Sequence, residues 1–303
     1  MAQSGQVADA VSQVTGRPVE LVEITTYGDT SREHLAQIGG TGVFVTALRD
    51  ALLRGEVDFA VHSLKDLPTA QPDDLALAAV PKREDPRDAL VARDGLRFTD
   101  LPEGARVGTG SPRRMAQLNA YARSHGMSIE TVPIRGNVDT RIGYVRNGEL
   151  DAVVLAAAGL NRIGRIDEVT DFLPTDMVLP APGQGALAVE CAADNADLVA
   201  ALSELDDPHT RGAVTAERSL LAALEAGCSA PVGALADLLG DGQIVKEMRL
   251  RGVVGTTDGS TLVQLSTTGP VPETYDQAMA LGRELAAEML AKGAAGLMGE
   301  RAH

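Results

Sequence analysis

The chain has 303 residues, 44% of them hydrophobic, with a mean hydropathy near zero, a net charge of −15 and a pI near 4.7. That length allows two or three domains with proper cores, and the acidity speaks against a general nucleic-acid binder. Neither a membrane span nor a signal peptide is expected, and two cysteines without framework spacing argue for a reducing, cytoplasmic compartment.

Ala2 to Val14 places Val7, Ala10, Val11 and Val14 at helical spacing, and Gly16-Arg17-Pro18 breaks the helix. Val19 to Ile24 alternates as a strand. The polar, Gly-rich stretch Gly28–Gly42 is long enough for a lid over a site. A helix is expected over Val43–Arg54, stopped by Gly55, then strands over Val57–His62 and Leu75–Val80. Lys82 to Asp88 is charged, carries Pro86 and reads as a crossing between domains.

A second α/β run follows. Arg106-Val107-Gly108 is a strand, and Ser111-Pro112 supplies an N-cap with Pro at N1 for a helix to about Ser124. Ile129–Ile134 is a strand, Val138–Asn147 a helix closed by Gly148, and Asp151–Ala157 a strand. The two runs echo each other: Gly55-Glu-Val-Asp-Phe-Ala-Val61 matches Gly148-Glu-Leu-Asp-Ala-Val-Val154. This gives two similarly folded α/β domains with a ligand cleft between them. The second run opens with a strand that the first lacks, so the first domain is expected to be short of its opening strand and of the loop after it. Ala186–Cys191 reads as a strand returning to the first domain, followed by acidic helices at 195–204 and 208–226. From Ala230 the pattern turns antiparallel, with alternation over Ile244–Val254 and Thr261–Thr267 and a helix from Glu273 to Leu290. That is a small α+β third domain.

Charge is distributed unevenly. Between Arg106 and Arg165 there are nine arginines and four acids, and arginine grips carboxylates and phosphates with a planar fork. Arg113 and Arg114 lie in the first turn of a helix, where cations oppose the helix dipole, so anion binding explains them better than stability does. Arg135 and Arg141 repeat the theme after the next strand, and Thr109-Gly110-Ser111 is a candidate anion-binding turn. Lys65-Asp66 follows the Val57–His62 strand and is either a solvated turn or a carboxylate that stabilises a developing cation. Cys228, on the loop after the 208–226 helix and its stop at Gly227, is either a small buried residue or an attachment point. His62 reads as a packed strand residue, Cys191 as core, and the histidines form no metal spacing.

Six segments, in order along the chain, carry a resemblance. They are Val61-His-Ser-Leu-Lys-Asp-Leu-Pro68, Arg83-Glu-Asp-Pro-Arg-Asp88, Gly108-Thr-Gly-Ser-Pro-Arg-Arg114, Arg135-Gly-Asn-Val-Asp-Thr-Arg141, Leu179-Pro-Ala-Pro-Gly-Gln-Gly-Ala186 and Glu225-Ala-Gly-Cys-Ser-Ala-Pro-Val-Gly233. Together they resemble the porphobilinogen deaminase (hydroxymethylbilane synthase) family. The resemblance implies an α/β fold of two similar periplasmic-binding-protein-like domains around a cleft, plus a small α+β C-terminal domain with a three-stranded antiparallel sheet. The domains would be 1–82 with 184–204, 87–180 and 208–303. It implies a dipyrromethane cofactor on Cys228 and a transferase that condenses four porphobilinogen molecules with loss of ammonia, then frees hydroxymethylbilane. Asp66 would be the catalytic carboxylate. Lys65, Ser63, Thr109, Ser111, Arg113, Arg114, Arg135 and Arg141 would hold cofactor carboxylates, and Arg162, Gln184 and Gln3 would meet substrate.

Three departures accompany the likeness. The family's opening strand, with its Thr-Arg-x-Ser-x-Leu-Ala motif, would lie just before Gln3. The family's lid often carries lysines where this chain has Thr41 and Thr46, and a family arginine aligns with Glu168, where Arg165 would reach into its place. The first departure favours a second reading, a catalytically silent two-domain anion-binding protein. In either case the expected partner is a small molecule, with no nucleic acid, membrane or metal, and the protein is expected to be a monomer.

Overall fold

The computed structural model describes residues 1–25, 41–226 and 230–298. Contacts divide the chain into two compact units, residues 1–83 with 186–211 and residues 84–185 with 212–303. The first unit begins with α1 (Ala2–Thr15), α2 (Thr41–Leu53), β1 (Phe59–Ser63) and β2 (Leu75–Ala79). The chain then builds β3 (Asp88–Ala92), β4 (Ala105–Gly108), α3 (Pro112–Ser124), β5 (Ile129–Val132), α4 (Val138–Arg146), β6 (Ala152–Ala156), α5 (Ala157–Arg162) and β7 (Asp171–Phe172) of the second. It adds β8 (Leu187–Ala192) and α6 (Ala196–Ser203) to the first unit before α7 (Pro208–Ala223). The second unit is completed by β9 (Val232–Asp241), β10 (Ile244–Gly255), β11 (Leu262–Pro270) and α8 (Tyr275–Ala291).

In the first unit β8 is the central strand of the order β1-β8-β2 and is antiparallel to both neighbours. Because side chains alternate across a strand, Val61, Val189 and Cys191 face one way, onto Val7 and Val11 of α1 and Leu202 of α6. Ala60 faces the other way, against Leu52 and Leu48 of α2.

The second unit carries a five-stranded sheet ordered β5-β4-β6-β3-β7, parallel where β4 meets β5 and β6 and antiparallel elsewhere. One face packs Leu90, Phe98, Val107 and Leu118, the other Val91, Ile142, Val153 and Leu160. The C-terminal sheet, ordered β11-β10-β9, is antiparallel throughout. α7 and α8 close a core of Leu220, Leu224, Leu250, Leu285 and Met289 against it. The tip between β10 and β11 rests on α3, where Asn119 donates to the Thr257 carbonyl at 2.8 Å and Arg123 to that of Asp258 at 2.9 Å. Buried Glu217 of α7 accepts from the Gly183 N–H at 2.9 Å and from the Ala236 N–H at 3.0 Å. It thereby pins the 179–186 loop to the sheet.

The internal echo is structural. Gly55 and Gly148, at φ 72 and 80, end α2 and α4 in the left-handed conformation that glycine adopts freely. The trio β1-β8-β2 repeats the order and antiparallel sense of β6-β3-β7. β6 has β4 on its other side; among the described residues nothing pairs with the corresponding edge of β1.

The first unit forms no parallel pair among its described strands, because β8 separates β1 from β2. Three expectations need correction. Val19–Ile24 is extended but not a strand, having no neighbour to bond among the described residues, and leaves Leu21 and Val22 46% and 50% exposed. Lys82–Asp88 is not only a crossing, since Asp88 opens β3. α7 stops at Ala223 rather than near 226, with Glu225 taking the left-handed position (φ 54) assigned to Gly227. Gly227–Ser229, and the lid apart from Thr41 and Gly42 at the start of α2, lie outside the described residues.

Candidate active site

In the first unit β1 ends at Ser63 and runs into a single 3-10 turn, Leu64–Asp66. Leu64 and Leu67 are 0% and 1% exposed and anchor the turn from inside. The Leu64 N–H donates to the Ala186 carbonyl at 3.0 Å, and the Leu67 N–H closes the turn on Leu64 at 3.1 Å. Lys65 and Asp66 are thereby held half-buried at the C-terminal end of β1. Ser63 Oγ donates to Gln3 Oε1 of α1 at 3.1 Å, so three adjacent elements supply this corner. Burial pushes the Asp66 carboxyl above its ordinary range, opposed by the charges of Lys65 and then His62. Burial that favours its neutral form makes this carboxyl a candidate for taking and releasing a proton.

In the second unit the loop from β4 to α3 folds as the sequence requires. Ser111 caps α3 by accepting from the Arg114 N–H at 3.2 Å, with Pro112 at N1. Thr109 is fully buried, and its hydroxyl accepts from the Ser111 N–H at 3.1 Å.

Arg113 and Arg114 are 4% and 5% exposed and already share one carboxylate, that of Asp88. Arg113 Nη1 donates to Asp88 Oδ2 at 2.7 Å and to the Leu179 carbonyl at 2.8 Å. Arg114 gives Nε and Nη2 to Asp88 Oδ1 at 3.0 and 2.8 Å and Nη1 to the Val154 carbonyl at 3.2 Å. Gln184 joins them, donating to Asp88 Oδ1 at 2.9 Å and accepting from Arg113 Nη2 at 3.3 Å. Burial alone would raise the Asp88 carboxyl, but the two guanidiniums outweigh it and hold Asp88 well below the usual carboxylate range.

Arg141, in the first turn of α4, donates to the Gly136 carbonyl at 2.8 Å. Burial, and then the charge of Arg114, makes its protonated form harder to keep. The three arginines 113, 114 and 141 therefore exceed Asp88 by two positive charges, an arrangement that calls for an anion. Arg135 stands exposed beyond the end of β5. Arg162, ending α5, donates Nη2 to the Gly185 carbonyl at 2.8 Å, while its buried Nε has no partner among the described residues. Arg165, expected to reach into the family arginine's place, is paired with Glu168 and Asp139.

Cys228 lies outside the described residues. The other cysteine, Cys191, is fully buried in β8, where burial and then Glu190 push its thiol up, as befits a core residue. His62 is packed as expected, at 4% exposure. Sequence reasoning missed the buried acids Asp88 and Glu190. The available signal was a charge inside an otherwise apolar strand: Asp88-Ala-Leu-Val-Ala92 and Leu187-Ala-Val-Glu-Cys-Ala192.

The family model for the porphobilinogen deaminase dipyrromethane cofactor-binding domain matches residues 1–200, and that for the family's C-terminal domain matches 212–291. Porphobilinogen deaminase 1 of Streptomyces avermitilis is 90% identical over 308 residues, spanning 100% of this chain and 95% of that protein. Porphobilinogen deaminase of Thermobifida fusca is 58% identical over 296 residues, spanning 96% and 90%. Among solved structures, substrate binding domain 2 of Lactococcus lactis GlnP superimposes with a TM-score of 0.40 at 15% identity, covering 67% of this chain and 76% of that one. With both family domains matched in order and near-identity across its length, the chain belongs to the porphobilinogen deaminase family.

Proposed function

We infer that the chain is a hydroxymethylbilane synthase, a transferase of tetrapyrrole synthesis. It joins four porphobilinogen molecules head to tail, releasing one ammonia per bond formed, and water then frees the linear product. The observation that carries this reading is the 90% identity to a porphobilinogen deaminase over the full chain. A dipyrromethane bound at Cys228 supplies the pyrrole carbon from which the chain grows.

The donor set of the second unit fits a group bearing several carboxylates. Arg113, Arg114 and Arg141 share the single counter-charge of Asp88, and the Arg162 Nε is a buried donor without a partner among the described residues. Arg135, Thr109 and Ser111 complete the set, with Gln184 orienting its neighbours; in the first unit Lys65 supplies a cation of its own, on a turn whose approach Ser63 and Gln3 brace. Arg113 acts by position, its Nη1 committed to Asp88 and Leu179. Asp66 is the carboxylate that accepts the pyrrole N–H. It stabilises the cation left when ammonia departs and then takes the proton lost from the newly bonded carbon. In this reading residues 87–180 hold carboxylates and residues 208–303 carry the attachment.

The protein works as a monomer in the cytosol: a thiol that must survive until the primer is attached suits a reducing compartment. No described helix is long and apolar enough to cross a membrane.

Intact mass after expression with porphobilinogen supplied tests the reading. Two pyrrole units, lost in Cys228→Ser, are expected; a bare polypeptide that consumes no porphobilinogen overturns it. Asp66→Ala should abolish turnover and keep the fold, and a near-normal rate would remove Asp66 from its role.

A further inference from the structure

Gln117, one turn beyond Arg113 on the buried face of α3, is 5% exposed. Its Oε1 accepts from the Leu179 N–H at 2.7 Å, and its Nε2 donates to the Leu179 carbonyl at 3.0 Å. One side-chain amide thus answers both backbone groups of one residue, as a neighbouring strand would. Leu179 needs such a partner. It is 0% exposed, and Pro180 and Pro182 beyond it have no N–H with which to build a ladder. The direction of the amide is fixed as well, because the flipped form would set N–H against N–H.

The same carbonyl takes Arg113. A carbonyl oxygen has two lone pairs, and Leu179 gives one to Gln117 and the other to Arg113 Nη1, at 2.8 Å. Arg113 Nη1 also reaches Asp88 Oδ2 at 2.7 Å, whereas its Nη2 stands 3.5 Å from Oδ1. Arg113 therefore holds Asp88 by one nitrogen. Oδ1 is left to Arg114, at 3.0 and 2.8 Å, and to Gln184, at 2.9 Å. A guanidinium free to turn commonly closes a two-point fork on a carboxylate. The Leu179 carbonyl prevents that here, and it cannot retreat: a Cβ on Gly233 of β9 would already stand 2.9 Å from it.

We propose that Gln117 is a positioning residue for the reaction: by pairing with both backbone groups of Leu179 it sets the carbonyl that holds Arg113 to one oxygen of Asp88, and so keeps Arg114 placed for a pyrrole carboxylate. Without Gln117 the carbonyl turns away, Arg113 closes its fork on Asp88, and Arg114 loses its anchor. The inference rests on the arginine cluster being the carboxylate-binding set of the proposed transferase.

The test compares Gln117→Met, which keeps the length and loses both hydrogen bonds, with Gln117→Asn, whose amide falls one methylene short. Gly259→Ala, which strains α3 at Ala120, is the control for a helix that is merely loosened. Two quantities are read: porphobilinogen consumption by the cofactor-loaded enzyme, and water exchange of the Arg114 Nε–H by 15N NMR, assigned through Arg114→Lys. In both Gln117 variants KM should rise about tenfold while kcat falls by less than about threefold, the pattern of lost ground-state binding. The Arg114 Nε–H should exchange about tenfold faster. Gly259→Ala should lower the melting temperature and leave KM and the Arg114 exchange as in the parent. A parental KM or a parental Arg114 exchange in Gln117→Met overturns the proposal, as does an equal rise of KM in Gly259→Ala. Gln117→Asn decides in the same way if the methionine variant does not fold. If the parent itself consumes no porphobilinogen, the transferase reading fails instead, and the Arg114 exchange still decides whether Gln117 sets the cluster.

Discussion

Asp88→Asn keeps the shape of the side chain and removes one negative charge, leaving Arg113 and Arg114 buried at 4% and 5% exposure with no counter-ion of their own. Gln184 then faces an amide where it met a carboxylate. Breaking a buried ion pair by removing one partner costs about 3–5 kcal/mol, because the surviving charge is stranded. At 2–4 °C per kcal/mol for domains of this size, the melting temperature should drop by about 6–20 °C. The sign with pH follows from the depressed carboxyl. Its contribution to stability is complete above the unfolded-state value near 4 and is lost as pH falls through the lower folded-state value. Parent and variant should therefore differ most at neutral pH and converge in acid. Urea titrations at pH 7 and in steps down to about pH 2, followed by circular dichroism, measure both effects. A variant within about 1 kcal/mol of the parent at pH 7, or a gap that widens in acid, would refute Asp88 as the counter-charge.

Ser111→Ala removes the acceptor for the Arg114 N–H and should cost about 1 kcal/mol in urea unfolding. Glu217→Ala leaves the Gly183 and Ala236 N–H groups buried without an acceptor, at about 1–3 kcal/mol each, while Glu217→Gln retains one and should be milder. Gly259→Ala forces a left-handed alanine (φ 72) whose Cβ would sit 2.2 Å from the Ala120 nitrogen. Its melting temperature should fall; an unchanged value would mean that the β10–β11 tip does not rest on α3. In a Cys228→Ser background, Cys191 should resist alkylation until the protein is unfolded in denaturant, since it is fully buried and its thiol is pushed up.

What the sequence made legible was local. Ser111-Pro112 announces a helix start through groups three residues apart, and Gly55 and Gly148 announce helix ends through their own backbone freedom; all three stand where expected. Val19–Ile24 has the alternation of a strand, but a strand also needs a neighbour, and alternation cannot supply one. Asp88 sits in a charged, proline-bearing run that reads as linker, while its partners lie 25 and 26 residues further on. The arginines are the instructive case. Cations at a helix N-terminus read as binding an anion rather than serving stability, and the anion they meet in the fold is internal, the Asp88 carboxylate. Pattern reasoning identifies the demand for a counter-charge, whereas only the fold assigns how much of it the protein meets itself.

The strand order of the first unit bears on how the chain folds as it is made. β1 and β2 share no ladder; among the described residues each bonds only to β8, which follows β2 by roughly a hundred residues. Closing a loop of that length costs about 4 kcal/mol of chain entropy before a single contact repays it. During synthesis β1 and β2 therefore wait without their central strand, while β3 to β7 have all their sheet partners by Phe172. The five-stranded sheet should mature first and the Lys65–Asp66 corner last, because Leu64 gains its tie to Ala186 only when β8 arrives. A ribosome stalled with residues 1–180 emerged should show protease-resistant 84–180 and cleavable 1–83. The corner assigned to catalysis is then also the last part of the first unit to be withdrawn from proteolysis and aggregation.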